Sequence, residues 1–148
     1  MDSEEPDLRV AGLSLWAPGG GSAGDAGDDY WDDNWLYVKV QVEAHGAFVE
    51  AQGNFVHASE LEDFLNELIR LDRTVAGTAT LDCMEGNLAI TIDGDSLGRA
   101  TAKISITPYT ESQSHQFIFS IDQSHFKHMI AGCKKILAAH PIRGFAWL

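Results

Sequence analysis

The sequence predicts an α+β fold: two layers, with a mainly antiparallel sheet of about seven strands carrying two helices on one face. Three observations lead there. Apolar residues alternate with polar ones in run after run, and two segments switch to a three-and-four spacing. The links between strand runs are short, except where a helix intervenes. Short links favour antiparallel neighbours, because a parallel pair needs a crossover of about a dozen residues or more. Clean alternation means that one sheet face is covered, and two amphipathic helices supply the cover. The opposite face is then a lawn of Thr, Ser, Gln, Lys and Asp.

The elements follow in order. Leu8, Val10, Leu13 and Leu15 form the first run. Its apolar parity flips across Ala11-Gly12, and a bulge at Gly12 would restore a single face. Pro18 and the glycines 19–21 end this strand, since such residues disfavour a regular element. The segment 17–34 is therefore expected as a long, acidic, Gly-rich loop, and loops of that length tend to carry function or disorder. Leu36, Val38, Val40 and Val42 alternate with Tyr37, Lys39, Gln41 and Glu43 in a half-buried strand. Ala44-His45-Gly46 turns the chain, and Ala47, Val49, Ala51, Gly53 and Phe55 return as its hairpin partner.

A helix is predicted over 59–72. Ser59-Glu60-Leu61-Glu62 reads as a capping box, and Leu61, Phe64, Leu65, Leu68 and Leu71 form one stripe. Four short strands follow, centred on Ala79/Leu81/Cys83, Leu88/Ile90/Ile92, Ala100/Ala102/Ile104/Ile106 and Phe117/Phe119/Ile121. Asp93-Gly94-Asp95-Ser96 reads as a hairpin turn between two of them. The last helix is predicted over 124–139, with Phe126, Met129, Ile130, Cys133, Ile136 and Leu137 inward and Pro141 as its stop. The tail 142–148 is apolar enough to pack somewhere. All of this is expected within one domain, 1–148.

At 148 residues and 45% hydrophobic content, the chain can bury a real core. No apolar window approaches the ~18 residues of a membrane span. The start, Met1 to Asp7, is acidic and lacks the apolar run of a secretory signal, so a cytoplasmic protein is expected. Cys83 and Cys133 each fall on an apolar face, which reads as two buried, reduced thiols.

The net charge is −12, and it is lopsided. Residues 1–33 hold nine acids against Arg9, while the remaining thirteen acids face nine bases. Such a surface repels nucleic acid and anionic lipid, and it attracts a basic protein. The densest stretch runs from Asp25 to Leu36, with five carboxylates in nine residues and three large aromatics among them. Rings such as Tyr30, Trp31 and Trp35 are costly to leave in water, so either the fold or a partner must bury them. Asp28, Asp29, Tyr30, Trp31, Asp32 and Asp33 are the candidate partner-binding residues. The polar sheet face around Lys39, Gln41, Thr101 and Lys103 is the second candidate surface. Of Trp31 and Trp35, at least one is expected to anchor the loop onto the domain.

No catalytic set emerges. There is no phosphate-cradling G-x-x-x-x-G-K-[ST] and no G-x-S-x-G nucleophile turn. His125 and His128 have a spacing that could share a metal, but solvated histidines on a helix are the favoured reading. Asp93-Gly94-Asp95 lacks the downstream glutamate of a calcium loop. Asp28, Asp29, Asp32 and Asp33 could chelate a hard cation only in a loop geometry the sequence does not define. No cofactor and no metal are assigned.

The string Trp31-Asp32-Asp33-Asn34-Trp35-Leu36, followed by an alternating strand, resembles the W-D-x-N-W-L block of the WapI family of bacterial immunity proteins. Ser59-Glu60-Leu61, Gly86-Asn87-Leu88 and Ile121-Asp122-Gln123-Ser124 are similar to further blocks in the same order, so the resemblance extends over roughly residues 30–140. It implies a role without catalysis: binding and neutralising a cognate toxin domain, in the namesake a tRNA nuclease. It carries over no binding residues by position. The Gly-rich segment 18–24 looks like a lengthened loop relative to that family, and the tail after Pro141 departs too. The residues alone leave two other classes open, a small ligand- or metal-dependent enzyme using the acidic loop and a structural interaction module.

Overall fold

A computed structural model describes residues 5–20 and 34–143. Among these residues the chain forms eight strands: β1 (Leu8–Val10), β2 (Leu13–Gly20), β3 (Trp35–Ala44), β4 (Ala47–His57), β5 (Gly77–Asp82), β6 (Leu88–Gly94), β7 (Arg99–Ile106) and β8 (Gln116–Asp122). Helix α1 (Ala58–Thr74) separates the first four from the last four. A 3-10 turn, Gln123–His125, leads into helix α2 (Phe126–Ala139).

The fold is α+β with every strand pair antiparallel, as the short links require. The strands form two four-stranded sheets, ordered β1-β2-β3-β4 and β5-β6-β7-β8, in place of one sheet of about seven. The physical reason is the helical crossover. Each set of four pairs only consecutive strands, and α1 carries the chain from one set to the other. Alternation does place one apolar face on each sheet. Leu8, Val10, Leu13, Leu15, Leu36, Val38, Val40 and Val42 from the first, and Leu81, Ile90, Ile92, Ile104 and Ile106 from the second, join the helix stripes in one core. The stripes are Leu61, Phe64, Leu65, Leu68 and Leu71 of α1, with Phe126, Met129, Cys133 and Ile136 of α2. The helices pack on each other, α1 also along β5 and α2 along β1. At Gly132 the approach of α2 to β1 is closest: an added Cβ would stand 2.7 Å from the Asp7 carbonyl oxygen.

Three local expectations are corrected. The parity flip at Ala11-Gly12 is a tight reversal, not a bulge, since Leu8 pairs with Leu15 and Val10 with Leu13. Directly opposed residues of an antiparallel pair share a face, so both halves point inward. Ala11 takes the positive φ of 53° that such a reversal needs. Second, β2 does not end at Ala17. An irregularity between Trp16 and Gly19 sets Pro18 off the ladder, and Gly19 and Gly20 then pair with Tyr37 and Leu36. Asp7 Oδ2 accepts the Ala17 amide at 2.8 Å, and Ala17's carbonyl lies 3.0 Å from His140 Nε2, so this bend is fixed at both of its polar groups. Third, α1 starts one residue before Ser59 and is capped by His57 and Glu60. His57 Nδ1 accepts the Ser59 amide at 3.2 Å, and Glu60 Oε1 accepts the His57 amide at 2.8 Å. The expected box of Ser59 with Glu62 is thereby displaced by two residues, and the Ser59 hydroxyl lies 2.8 Å from that same Nδ1.

A bulge in β4 completes the picture. Leu36 pairs with Val56 and Val38 with Gly53, so β4 carries one residue more than β3 between them. Phe55 and Val56 are consequently both buried, although they are consecutive in the chain.

Candidate partner-binding surface

Asp28, Asp29, Tyr30, Trp31, Asp32 and Asp33 lie outside the described residues, as do 21–27 of the Gly-rich segment and 144–148 of the tail. Both flanks of the acidic segment are described, and both are tied down. On the near side is the paired end of β2 at Gly20. On the far side Asn34 is 3% exposed. Its Nδ2 donates to the Arg143 carbonyl at 2.8 Å, its Oδ1 accepts the Arg143 amide at 2.8 Å, and its own carbonyl accepts the Ala58 amide at 2.8 Å. Trp35 meets the fully buried ring of His57 edge-on, with centroids 5.0 Å apart and planes at 90°. Trp35 therefore anchors the start of β3 to the cap of α1, as expected of at least one of the two tryptophans. The Asn and second Trp of the W-D-x-N-W-L string thus have an architectural role here. The composition of the segment hides this, because Asn34 makes contacts 109 residues away.

The second candidate surface divides in two. Lys39 and Gln41 sit on the outer face of the first sheet, Thr101 and Lys103 on that of the second. On the first, Lys39 Nζ lies 4.8 Å from the centre of the Trp16 ring, a cation–π contact, and Gln41 Nε2 donates to Glu50 Oε1 at 2.9 Å. On the second, Thr78 Oγ1 donates to Asp93 Oδ1 at 2.7 Å in the row that includes Thr101.

A groove of about 290 Å³ opens between the two sheets. Its floor is Ala51 and Phe55 of β4, and its rim includes Glu50, Gln52, Asn87 and Tyr109.

Titratable groups add little chemistry. Asp95 is held below the usual carboxylate range by the Arg99 amide first and the Leu97 amide next, in the turn from β6 to β7. The Ser124 hydroxyl, then its amide, lower Asp122 where the chain enters the last helix. Burial pushes the Cys133 thiol up to about 12. It raises Cys83 further, with the carboxylates of Glu60 and Asp82 acting in the same direction. Both are free, buried thiols. His125 and His128 are exposed, and His125 Nδ1 lies 3.3 Å from Asp122 Oδ1. Among the described residues no three His, Cys, Asp or Glu side chains gather in a metal-holding cluster, and no helix is long and apolar enough to cross a membrane.

Sequence reasoning missed the placement of two acids on α1. Glu67 Oε1 accepts the Thr80 amide at 2.7 Å and Glu60 Oε2 accepts the Met84 amide at 2.8 Å. They cover backbone donors along β5, the edge strand of its sheet. The available signal was their spacing of seven on one side of the apolar stripe.

The described residues assemble an antiparallel α+β scaffold with tied strand ends, largely polar outer faces and a groove beside β4. The sequence profile of the immunity protein WapI-like family matches residues 9–141, and the chain belongs to that family. Comparison with curated proteins and with solved structures gives no match.

Proposed function

We propose that this protein is a cytoplasmic immunity protein that binds a cognate basic toxin domain and neutralises it by occlusion. Membership of the WapI-like immunity family across residues 9–141 carries this reading. The charge supports it. A surface with a net charge of −12 speeds encounter with a basic protein, and a toxin that cuts RNA has to be basic where it binds phosphates. An acidic run such as 28–33 can occupy that phosphate-binding surface in place of RNA. Gly20 and Asn34, on either side of the segment that holds the run, are both held by the fold.

The test is reconstitution with the toxin domain encoded beside this gene. Mixing the two is expected to give a stoichiometric complex and loss of the toxin's RNA cleavage. Absence of a complex with any neighbouring gene product would overturn the proposal.

A further inference from the structure

The groove between the sheets is built to hold one side chain of a particular kind. At about 290 Å³ it sits at the bottom of the roughly 300–1,000 Å³ range of ligand pockets, the size for a single long side chain and too small for a folded segment. The floor is apolar and buried: Ala51 is 4% and Phe55 5% exposed. Phe55 reaches that position through the β4 bulge. Glu50 and Gln52 also line the groove, at the free edge of β4; Glu50 Oε1 is engaged by Gln41 Nε2 at 2.9 Å on the outer face, and Oε2 is the oxygen left for a further donor. None of the residues lining the groove is basic.

The opposite lip is an aromatic held ready. Tyr109 is 68% exposed, yet its backbone is fixed, since its carbonyl accepts the amides of Ser112 at 3.1 Å and Gln113 at 3.0 Å. The neighbouring Thr107 is clamped to Asn87 in both directions: its amide donates to the Asn87 carbonyl at 2.9 Å, and its carbonyl accepts Asn87 Nδ2 at 2.9 Å. That leaves Asn87 Oδ1 as an acceptor at the rim. An exposed ring, a carboxylate and amide oxygens around an apolar slot match one chemistry: an aliphatic stem ending in a planar cation. In such a slot the stem would pack on Ala51 and Phe55, the guanidinium would stack on the Tyr109 ring, and its N–H fork would face Asn87 Oδ1 and Glu50 Oε2.

We infer that this groove is an arginine-binding subsite for the basic partner, receiving one arginine side chain from its surface. The inference rests on the reading of the partner as a basic protein, and it adds a second contact region far in sequence from the acidic run. Arginine and tyrosine are the residue types that dominate interface energetics when seated in such pockets.

The probe is N-acetyl-arginine amide, with N-acetyl-citrulline amide as the uncharged analogue of the same shape. Titrations are followed by amide and tyrosine-ring NMR shifts. Saturable shifts are expected at Ala51, Gln52, Asn87 and Tyr109 with the arginine compound, and binding about tenfold weaker or worse with citrulline. Glu50→Gln and Tyr109→Leu should each weaken arginine binding several-fold, with Glu5→Gln, beside the opposite edge strand β1, as a distant control. Shifts scattered over the acidic surface, or arginine binding unchanged in both variants, would overturn the subsite. The second arm uses the cognate toxin domain. Equal affinity of the toxin for wild type, Glu50→Gln and Tyr109→Leu removes the subsite and leaves the immunity reading intact. No toxin complex, with a localised arginine titration, removes the immunity reading and leaves the groove.

Discussion

The Asn34 side chain and the Arg143 backbone hold each other by two hydrogen bonds of 2.8 Å, one in each direction. This pair joins the end of the acidic segment to the residues that follow α2, and the Asn34 carbonyl adds the first turn of α1 through Ala58. Three distant parts of the chain therefore meet at one residue. Only Asn offers a donor and an acceptor in that fixed geometry.

The first prediction concerns that pair. Asn34→Ala leaves two partly buried backbone groups unpaired and should cost about 1–3 kcal/mol in chemical denaturation. Asn34→Asp keeps the acceptor for the Arg143 amide and sets a carboxylate oxygen against the Arg143 carbonyl. It should be destabilised at neutral pH and partly recover in acid, where a protonated carboxyl can donate. Wild-type stability in both variants would show that the pair contributes nothing.

Gly12 supplies the second prediction. A Cβ there would overlap the Glu43 carbonyl oxygen and stand 2.7 Å from the Phe119 ring. Neither can withdraw easily: the Glu43 amide is bonded to the Gly12 carbonyl at 3.0 Å, and Phe119 stacks on Phe117 with centroids 6.5 Å apart. Gly12→Ala should lower stability by about 1–3 kcal/mol through overpacking. Gly46→Ala is the contrast. It has open space and a φ of 78°, so it bears only the left-handed penalty of about 1 kcal/mol. Equal losses in the two variants would mean that the Gly12 contact is slack.

The third prediction tests the cover over β5. Removing the Glu67 carboxylate with Glu67→Ala takes away the partner of the Thr80 amide. A loss of about 1–3 kcal/mol is expected, with hydrogen exchange at Thr80 accelerating more than in the strand interior. Glu60→Ala should do the same at Met84 and also release the His57 amide at the cap. Unchanged exchange at Thr80 and Met84 would contradict the proposed cover.

These residues show what a sequence can and cannot disclose. Both helices and the inward faces of the strands are legible, because periodicity records which side chains leave water. Leu36 to Val42 and Leu61 to Leu71 need no partner to be identified. The Ala11-Gly12 reversal was harder, since a bulge and a two-residue turn both explain a parity flip in so short a run. The cap of α1 was displaced because His57 reads as a strand residue until its Nδ1 is seen accepting from Ser59. The division into two sheets depends on strand order, which alternation does not encode. The role of Asn34 rests on a contact 109 residues away that no local pattern marks, while Glu67 is marked only by its spacing of seven from Glu60 beside the apolar stripe.

The fourth prediction is a pH dependence. Cys133 ionises near 12 in the folded chain, against 9.0 for an ordinary thiol, because burial disfavours the thiolate. A raised folded pKa means that the unfolded chain loses its proton first. The contribution to stability is complete below pH 9.0 and is lost as pH rises from there toward about 12. Cys83 is raised too and acts with the same sign. Both thiols should resist iodoacetamide in the native protein at pH 8 and react on denaturation. Cys133→Ala should flatten the alkaline fall in stability, while its own cavity cost appears at every pH. Rapid native-state alkylation would show that the thiols are reached without unfolding.

The last prediction concerns Asp28, Asp29, Asp32 and Asp33. Replacing all four by Asn removes four charges at nearly constant size. If the segment meets a basic toxin domain, the charges act mainly on association, so the on-rate should fall and its dependence on salt should shrink. Exposed pairs are worth ~0.2–1 kcal/mol each, which sets the total on the order of 1–4 kcal/mol, or one to a few factors of ten in affinity. Thermal stability should be nearly unchanged, because Asp→Asn keeps the size and most of the hydrogen bonding of each side chain. Binding measured at two salt concentrations separates the outcomes. A weaker complex with a flatter salt response assigns the acidic run to the interface. Unchanged affinity and salt response would move the contact to the sheet faces, with Lys39 and Gln41 on one and Thr101 and Lys103 on the other as the next positions to substitute.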